Sequence, residues 1–536
     1  MDVKTHEGTL GGATTRHDLP TRRHPAGGDL VRDPVADRAR HQVHEAPRRG
    51  KRALPVVLPL AAATALGLAL RLMVRRGLWL DEATSVAQAQ LPFREMLLDL
   101  VTYDVHPPLH HAVLWAVVHL LGVSETAVRG PSVIAGTLLI PALYLAGREL
   151  YDRETGLVAA LLGATAPVVV WYSQEARMYA FWMLFLVVSV WAQSRALRRS
   201  GAWPWLLYIL SAVLLLWTHY FTVLLVCVQQ LVFGAVVLRR RRQGQPLKRL
   251  GVPWALALVA IILATLPMLP YLSDQLAIIG ATAADKQETL AAINAGSRPG
   301  GDEFVYLAGA NLVWSVWGYH ADSIMVQLVA LWPLLMLAGL RMLGLRRSSA
   351  TGMLVALAGV PVAVLFVLGL RQQSLFELRY FMGTVPLLLL LVARAVTSLP
   401  KRASGRGLAL GLVLATMAAG LVDQQVNPQV PRKYGFETAL AQVADQAEEG
   451  DVVLYEPWYL EDLVDYYAPG VDAIPLRGDF DPLLPRDGDN QVFVVGSFLD
   501  QPRHRRRVDA AVGALHYFRK LEGQIEDSNV KVWRFR

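Results

Sequence analysis

Two adjacent carboxylates, Asp81 and Glu82, follow directly on the first long apolar run, in Leu78-Trp79-Leu80-Asp81-Glu82-Ala83. Desolvation beside Trp79 and the flanking leucines at a membrane surface raises a carboxylate's pKa, which makes it a competent general base. The structural alternative is a helix start with acids at the positive end of its dipole. A second group, Tyr103-Asp104-Val105-His106-Pro107-Pro108, sets an acid and an imidazole ahead of a double proline that fixes a rigid turn and can start a helix. Asp104 and His106 suit a metal, a sugar hydroxyl or the orienting of another group; equally, they suit a cap and an interfacial histidine. The third group is Trp171-Tyr172-Ser173-Gln174-Glu175-Ala176-Arg177-Met178-Tyr179. There Arg177 can clamp a phosphate or pair with Glu175 or Asp81, against the alternative of an aromatic belt with snorkelling charges. Fourth, Arg379 and Tyr380 stand where a late apolar run begins, and a planar guanidinium there suits a lipid phosphate or diphosphate. His219, Tyr220 and Lys286 read as structural or solvated, and Arg129 as snorkelling or paired with Glu125.

The elements that must carry these groups are membrane helices. Of 536 residues, 54% are hydrophobic and only 18% are charged, where a soluble protein has about a quarter charged. The net charge of +8 is concentrated in short loops between apolar runs, at Arg239–Arg242, Arg346–Arg347 and Lys401–Arg406. That is the pattern of cytoplasmic membrane loops, and no nucleic-acid partner is expected. The single cysteine, Cys227, excludes an intramolecular disulfide and a cysteine-based metal cluster, and is expected to be a small buried hydrophobe. Residues 1–52 read as a disordered basic cytoplasmic tail.

Runs of the length needed to cross a bilayer, about 20 residues, occur at 53–73, 129–148, 156–172, 179–197, 203–218, 220–238, 252–272, 324–343, 350–369, 379–397 and 406–422. A further run, 107–121, is short and carries three histidines. If it lies in the interface, all the basic loops face the cytoplasm together, as the positive-inside rule prefers. About eleven transmembrane helices result, in a multi-pass cell-membrane protein with the N-terminus cytoplasmic. External loops fall at about 74–128 and 273–323, within a membrane domain of residues 53–427. Residues 428–536 alternate helical and strand-like runs and predict a small extracytoplasmic α/β domain for acceptor handling or scaffolding.

The Asp81-Glu82 pair, Asp104-Val105-His106-Pro107-Pro108, the Tyr172–Tyr179 segment and Arg379-Tyr380 resemble the protein mannosyltransferase-like (glycosyltransferase family 39) GT-C glycosyltransferases, over roughly residues 53–400. The resemblance implies a GT-C fold with an amphipathic first external loop. It also implies transfer of a sugar, with mannose the leading candidate, from a polyprenyl-phosphate donor to a protein or cell-envelope glycan outside the cytoplasm. Carried across, Asp81 is the general base and Glu82 a neighbouring site carboxylate. Arg379 and Arg177 hold the lipid phosphate, while Asp104, His106, Glu175, Tyr179 and Tyr380 belong to the substrate site. A single base opposite a phosphate leaving group predicts inversion. A phosphate leaving group makes a metal dispensable; a divalent ion near Asp104 and His106 stays open. No β-trefoil-like repeat stands between the late spans, which loosens the case for a protein acceptor. An arabinosyl or aminosugar envelope transferase is the nearest alternative. A transporter would place its polar groups near the midplane between repeated halves, and a receptor would find Asp81 dispensable.

Overall fold

A computed structural model describes residues 54–74, 76–104, 106–199, 201–246, 250–275, 348–369, 382–399, 405–426, 435–476, 490–499 and 501–536. The expected tail at 1–52, the run 324–343, Lys286, Arg379 and Tyr380 lie outside the described residues. Pro55–Arg536 forms one compact unit, which holds the membrane helices and the C-terminal sheet.

Its membrane part is helical. In chain order the helices are α1 (Leu54–Leu72), α2 (Leu80–Gln90), α3 (Phe93–Tyr103), α4 (Leu109–Leu121), α5 (Glu125–Leu150), α6 (Arg153–Thr165) and α7 (Pro167–Ser173). Next come α8 (Tyr179–Arg198), α9 (Ala202–Leu216), α10 (Thr222–Arg242), α11 (Gly251–Thr265), α12 (Ser349–Gly369), α13 (Val385–Ser398) and α14 (Gly405–Val426). Among the described residues five helices are long and apolar enough to cross a membrane, or six if the bent pair α6–α7 is one span. Shorter apolar helices occupy Val56–Leu72, Ala202–Leu216, Ser349–Leu365 and Met382–Ser398, at four further positions of the expected spans. Helix α4 has 13 residues, roughly 20 Å of helix, too short for a hydrocarbon core of about 30 Å. It starts after Pro107-Pro108 and stops at Gly122, whose φ of 84° needs the freedom of glycine.

Basic helix ends gather at one end of the bundle. Glu149 takes Arg195 and Arg199 at 3.8 and 3.6 Å, and Asp152 takes Arg394 at 3.2 Å. Glu154 pairs with Arg406. Helix α8, with 20 residues, carries the chain about 30 Å from that end to the end where Arg177 stands. Cys227, expected to be buried, is exposed on α10; a small apolar side chain on a lipid-facing stripe loses nothing by facing hydrocarbon.

One span is broken for a reason the sequence supplies. Pro167 at the first position of α7 cannot continue α6, and the axis bends by 60°. The break frees carbonyls at the end of α6, and Arg71, 0% exposed, donates to Gly163 O at 3.0 Å and Ala164 O at 3.4 Å. Gly136 makes room for this, since a Cβ there would lie 2.0 Å from Ser173 Oγ and 2.9 Å from Arg71 Nε.

The C-terminal part comprises α15 (Phe436–Gln446), β1 (Val452–Glu456), α16 (Glu461–Tyr467), β2 (Asp472–Pro475), β3 (Val492–Ser497), α17 (Pro502–Leu515), β4 (Leu521–Asp527) and β5 (Val530–Phe535). Its five-stranded sheet has the order β2-β1-β3-β5-β4. The β1–β2 and β1–β3 pairs are parallel, whereas β5 runs antiparallel to both β3 and β4. One apolar core is shared between this domain and the segment between α1 and α5: Leu78, Val86 and Leu114 pack in the same cluster as Phe436, Leu463 and Phe493. Burial of that kind is worth roughly 1.5–3 kcal/mol per large side chain, so the loop helices are fixed from above as well as below.

Candidate active site

The loop leaving α1 turns into α2 at Trp79, and Glu82 closes the helix start by accepting from the Trp79 N–H at 3.0 Å. Glu82 does more than cap. Its two oxygens also receive Arg129 Nε and Nη2, each at 2.9 Å, and the Ala176 N–H at 2.8 Å. The carboxylate is 0% exposed and all four of these donors converge on it. Burial alone would raise its pKa, but the Arg129 charge and hydrogen bonds, with Arg76 beyond, override burial and hold it below the usual carboxylate range. Arg129 spends its remaining N–H groups on the carbonyls of Arg76 and Gly77, at 2.9 and 2.8 Å, and on Glu125 at 3.1 Å. The chain between α1 and α2 is thereby pinned to the start of α5.

Asp81 sits one residue earlier, half-buried in the first turn of α2. Its carbonyl receives Arg177 Nη1 at 3.2 Å and Ser85 Oγ at 2.9 Å, and Arg177 Nη1 also donates to Ser85 Oγ at 2.6 Å. Arg177 is thus held against the turn that carries Asp81. Its Nη2 lies 3.4 Å from His106 Nδ1, and that nitrogen shares a 2.5 Å hydrogen bond with Asp104 Oδ1. Asp104 Oδ2 faces His111 Nε2 at 3.5 Å. Burial works against the Asp104 charge, yet His106, His111 and Arg177 together hold its carboxyl well below the ordinary value. Burial lowers His110 well below the ordinary histidine value and, with Arg177 and His106 beside it, brings His111 to about 4. Both rings are therefore neutral near pH 7. Below them His219 stacks on Trp182 at 4.2 Å and meets His106 edge-on at 5.8 Å. Gln275, at the far end of the α11 segment, donates to Leu100 O at 2.9 Å and His106 O at 3.4 Å, and receives the Tyr220 hydroxyl.

Of the sequence candidates, Asp81, Glu82, Asp104, His106, Glu175 and Arg177 come together. Glu175 accepts from Trp171 Nε1 at 2.6 Å and from Arg76 at 3.4 Å, and the Arg76 guanidinium covers the Trp171 ring at 3.9 Å. Tyr179, 2% exposed, turns into the membrane core against Tyr172 at 4.5 Å. Sequence reasoning paired Arg129 with Glu125 and missed its larger partner Glu82. An arginine inside an apolar helix demands an acid, but the rule does not say which. Arg76 and the acceptor Ser85 were missed as well.

Helix α16 of the C-terminal domain lies on this same loop. The Leu78 N–H donates to Tyr467 Oη at 2.6 Å, and that hydroxyl donates to Glu125 at 2.7 Å. Thr84, three residues beyond Asp81, donates to Asp462 at 2.5 Å. Gly77 permits the approach, because a Cβ there would sit 2.6 Å from Tyr467 Oη and from Glu437 Cβ.

The donor set does not favour a metal. Asp104 and His106 are committed to each other, and among the described residues no three His, Cys, Asp or Glu side chains converge to hold an ion.

Residues 105–271 match the family model described as dolichyl-phosphate-mannose-protein mannosyltransferase. The crystal structure of ArnT from Cupriavidus metallidurans in the apo state is similar over 89% of this chain and 97% of that one, with a TM-score of 0.56 at 15% identity. ArnT from the same organism bound to undecaprenyl phosphate gives a TM-score of 0.54 at 14% identity, with the same coverage of 89% and 97%. The chain has the fold of ArnT, and its residues 105–271 are similar to the mannosyltransferase family. No curated protein matches it in sequence. The polar cluster stands at the end of the helical bundle, beneath the C-terminal α/β domain, and the apolar helices make the chain a membrane protein.

Proposed function

We propose that the enzyme transfers a glycosyl group, mannose in the first instance, from a polyprenyl-phosphate donor to a hydroxyl of an extracytoplasmic protein or cell-envelope glycan. The observation that carries this reading is the meeting of Asp81, Arg177 and the Asp104–His106 pair at one end of an apolar bundle. Asp81 takes the acceptor proton as the oxygen attacks the anomeric carbon. The bond from that carbon to the lipid phosphate breaks on the opposite face, with inversion. Polyprenyl phosphate departs with the electron pair, its charge met by Arg177 together with Arg379. His106, oriented by Asp104, supplies a further hydrogen bond to phosphate or sugar, and Tyr380 is a substrate-site candidate on the strength of the sequence, whereas Tyr179 supports the helix packing behind Arg177. Glu82 acts as the buried anchor of the Asp81 turn. No step requires a metal.

The description of the matching family names a dolichyl-phosphate-linked mannose, and ArnT binds undecaprenyl phosphate; both support a lipid-phosphate donor. Because the family match ends at residue 271, the choice of mannose rests on less than the lipid does. An arabinosyl or aminosugar envelope transferase is the second reading. A transporter fits less well, since the polar cluster is at the bundle's end rather than its middle. The clustering of Arg195, Arg199, Arg394 and Arg406 at the other end supports eleven spans, with a cytoplasmic N-terminus and both the site and the 428–536 domain outside.

Radiolabelled sugar transfer from polyprenyl-phosphate mannose, in membranes holding wild type or Asp81→Asn at matched expression, tests the reading. Transfer by wild type that drops by about 10²–10⁴-fold in the variant is the expected result. Undiminished transfer removes Asp81 from the role of base, and no transfer by wild type removes mannose as the donor sugar.

A further inference from the structure

The sheet of the C-terminal domain changes direction of winding between β1 and β3. From β1 the chain passes through α16 to β2 on one side, while β3, also parallel, lies on the other. In open α/β sheets the crevice beyond the carboxyl ends of two such strands is where ligands bind. Here Glu456 ends β1, opposite Gly496 of β3. Glu456 is 0% exposed; its Oε1 shares a 2.7 Å hydrogen bond with His504 Nδ1 and accepts from Arg507 Nη1 at 3.1 Å. Its Oε2 is buried and has no hydrogen-bond partner among the described residues, an unusual state for a carboxylate with room for four donors.

Aromatic rings flank this carboxylate. Trp458, 48% exposed, and Tyr459, 36% exposed, follow β1 directly, and Phe498 follows β3. Tyr459 meets Phe498 at 6.0 Å, His504 at 6.2 Å and Trp458 at 5.8 Å. Phe498 holds a φ of 56°, a left-handed conformation that a bulky residue adopts only when its surroundings impose it and that gathers at functional sites. The row continues across the domain boundary: Phe498 packs edge-on against Trp79 at 6.2 Å, and Trp79 stands two residues before Asp81.

We infer that this crevice is a saccharide subsite, which receives the acceptor glycan and leads it along the Tyr459–Phe498–Trp79 row to Asp81. A sugar ring has one apolar C–H face and a rim of hydroxyls. Aromatic rings, exposed at Trp458 and Tyr459 and half-buried at Phe498 and Trp79, suit the face, while a carboxylate oxygen and a guanidinium suit the rim. The inference rests on the glycosyl-transfer reading and narrows its acceptor to a glycan.

The protein in nanodiscs of zwitterionic lipid is titrated with a mannan tetrasaccharide and an arabinan tetrasaccharide, by isothermal titration calorimetry. Release of polyprenyl phosphate from polyprenyl-phosphate mannose and polyprenyl-phosphate arabinose, with a simple alcohol supplied to take the glycosyl group, is followed in parallel. Saturable binding of at least one saccharide is expected, weakened tenfold or more in Trp458→Ala and in Glu456→Gln, with donor turnover unchanged. Trp458 is 48% exposed, and an unchanged thermal midpoint of Trp458→Ala is the check that its fold is intact. No saturable binding, or equal binding by both variants, overturns the subsite. So does emission from Trp458, isolated by difference against Trp458→Phe, that brominated lipids quench: the ring then lies in the bilayer surface. Saccharide binding by a protein that consumes no polyprenyl-phosphate donor would instead sink the transfer reading and leave the subsite standing.

Discussion

Arg129 and Glu82 meet through two parallel hydrogen bonds of 2.9 Å, with side chains only 3% and 0% exposed. A pair so deeply withdrawn from water gains little net stability over an apolar replacement of both partners, yet each partner alone is costly. Its contribution is position. The same guanidinium ties down the backbone of Arg76 and Gly77, so the turn bearing Asp81 has one geometry rather than several.

Arg129→Met leaves Glu82 buried without its counter-charge. A loss of about 3–5 kcal/mol is expected, read as a lowered thermal midpoint in detergent together with lost transfer. Arg129→Lys keeps the charge but not the two-pronged geometry, and should fall between Met and wild type on both measures.

Ser85→Ala removes the hydroxyl that receives Arg177 Nη1 at 2.6 Å. The guanidinium keeps its charge but loses a stop. We expect a several-fold rise in KM for the lipid donor, a smaller change in kcat and an unaltered thermal midpoint. Arg177→Ala, in steady-state assays over donor concentration, should depress kcat/KM far more.

Tyr467→Phe deletes the hydroxyl that accepts from Leu78 and donates to Glu125. An unsatisfied group at such a site costs about 1–3 kcal/mol. Because Tyr467 touches the Asp81 turn and lies off the Arg177–His106 side, kcat should fall while KM for the donor holds. Asp462→Asn, which weakens the Thr84 contact, should act in the same direction. Equal loss in kcat and donor binding would point instead to general damage.

Stability should decline as the pH drops from about 6.5 to 4. Buried His111 titrates near 4 in the folded protein, against about 6.5 unfolded. Between those values the unfolded chain holds a proton that the native state lacks, so acidification favours unfolding. His110 is lowered too and adds to the slope. Asp104 and Glu82 are depressed, so their contributions are full above the unfolded carboxylate value near 4 and fade only below it. Thermal midpoints of wild type and His111→Asn between pH 7 and 4.5 should show a shallower slope in the variant.

Much of the site was legible in the sequence because its elements announce themselves locally. Asp81 and Glu82 open a helix, Pro107 and Pro108 place a turn, and the 172–179 segment joins two apolar runs. Polar residues at such junctions stand out against hydrocarbon. What stayed hidden was pairing over long separation. Nothing in the neighbourhood of Arg129 says that Glu82, 47 positions away, outranks Glu125 one helical turn along. The Tyr467 contact joins residues in different domains, and Tyr467 reads as an ordinary member of an amphipathic helix. Strands β2, β4 and β5 also escaped, since β4 alternates exposed and half-buried residues with too little hydrophobic weight to separate it from loop.

The hydrogen bond from Leu78 to Tyr467 spans 389 positions of sequence, and this gives the enzyme an order of birth. The loop with Asp81 is made before most of the helices that surround it. Its covering helix, α16, is made only after α14. Until then the loop has its partner Arg129 but no roof. A chain without α16 would keep Asp81 and Arg129 but lack the Tyr467 and Asp462 contacts that hold the Asp81 turn from its other side.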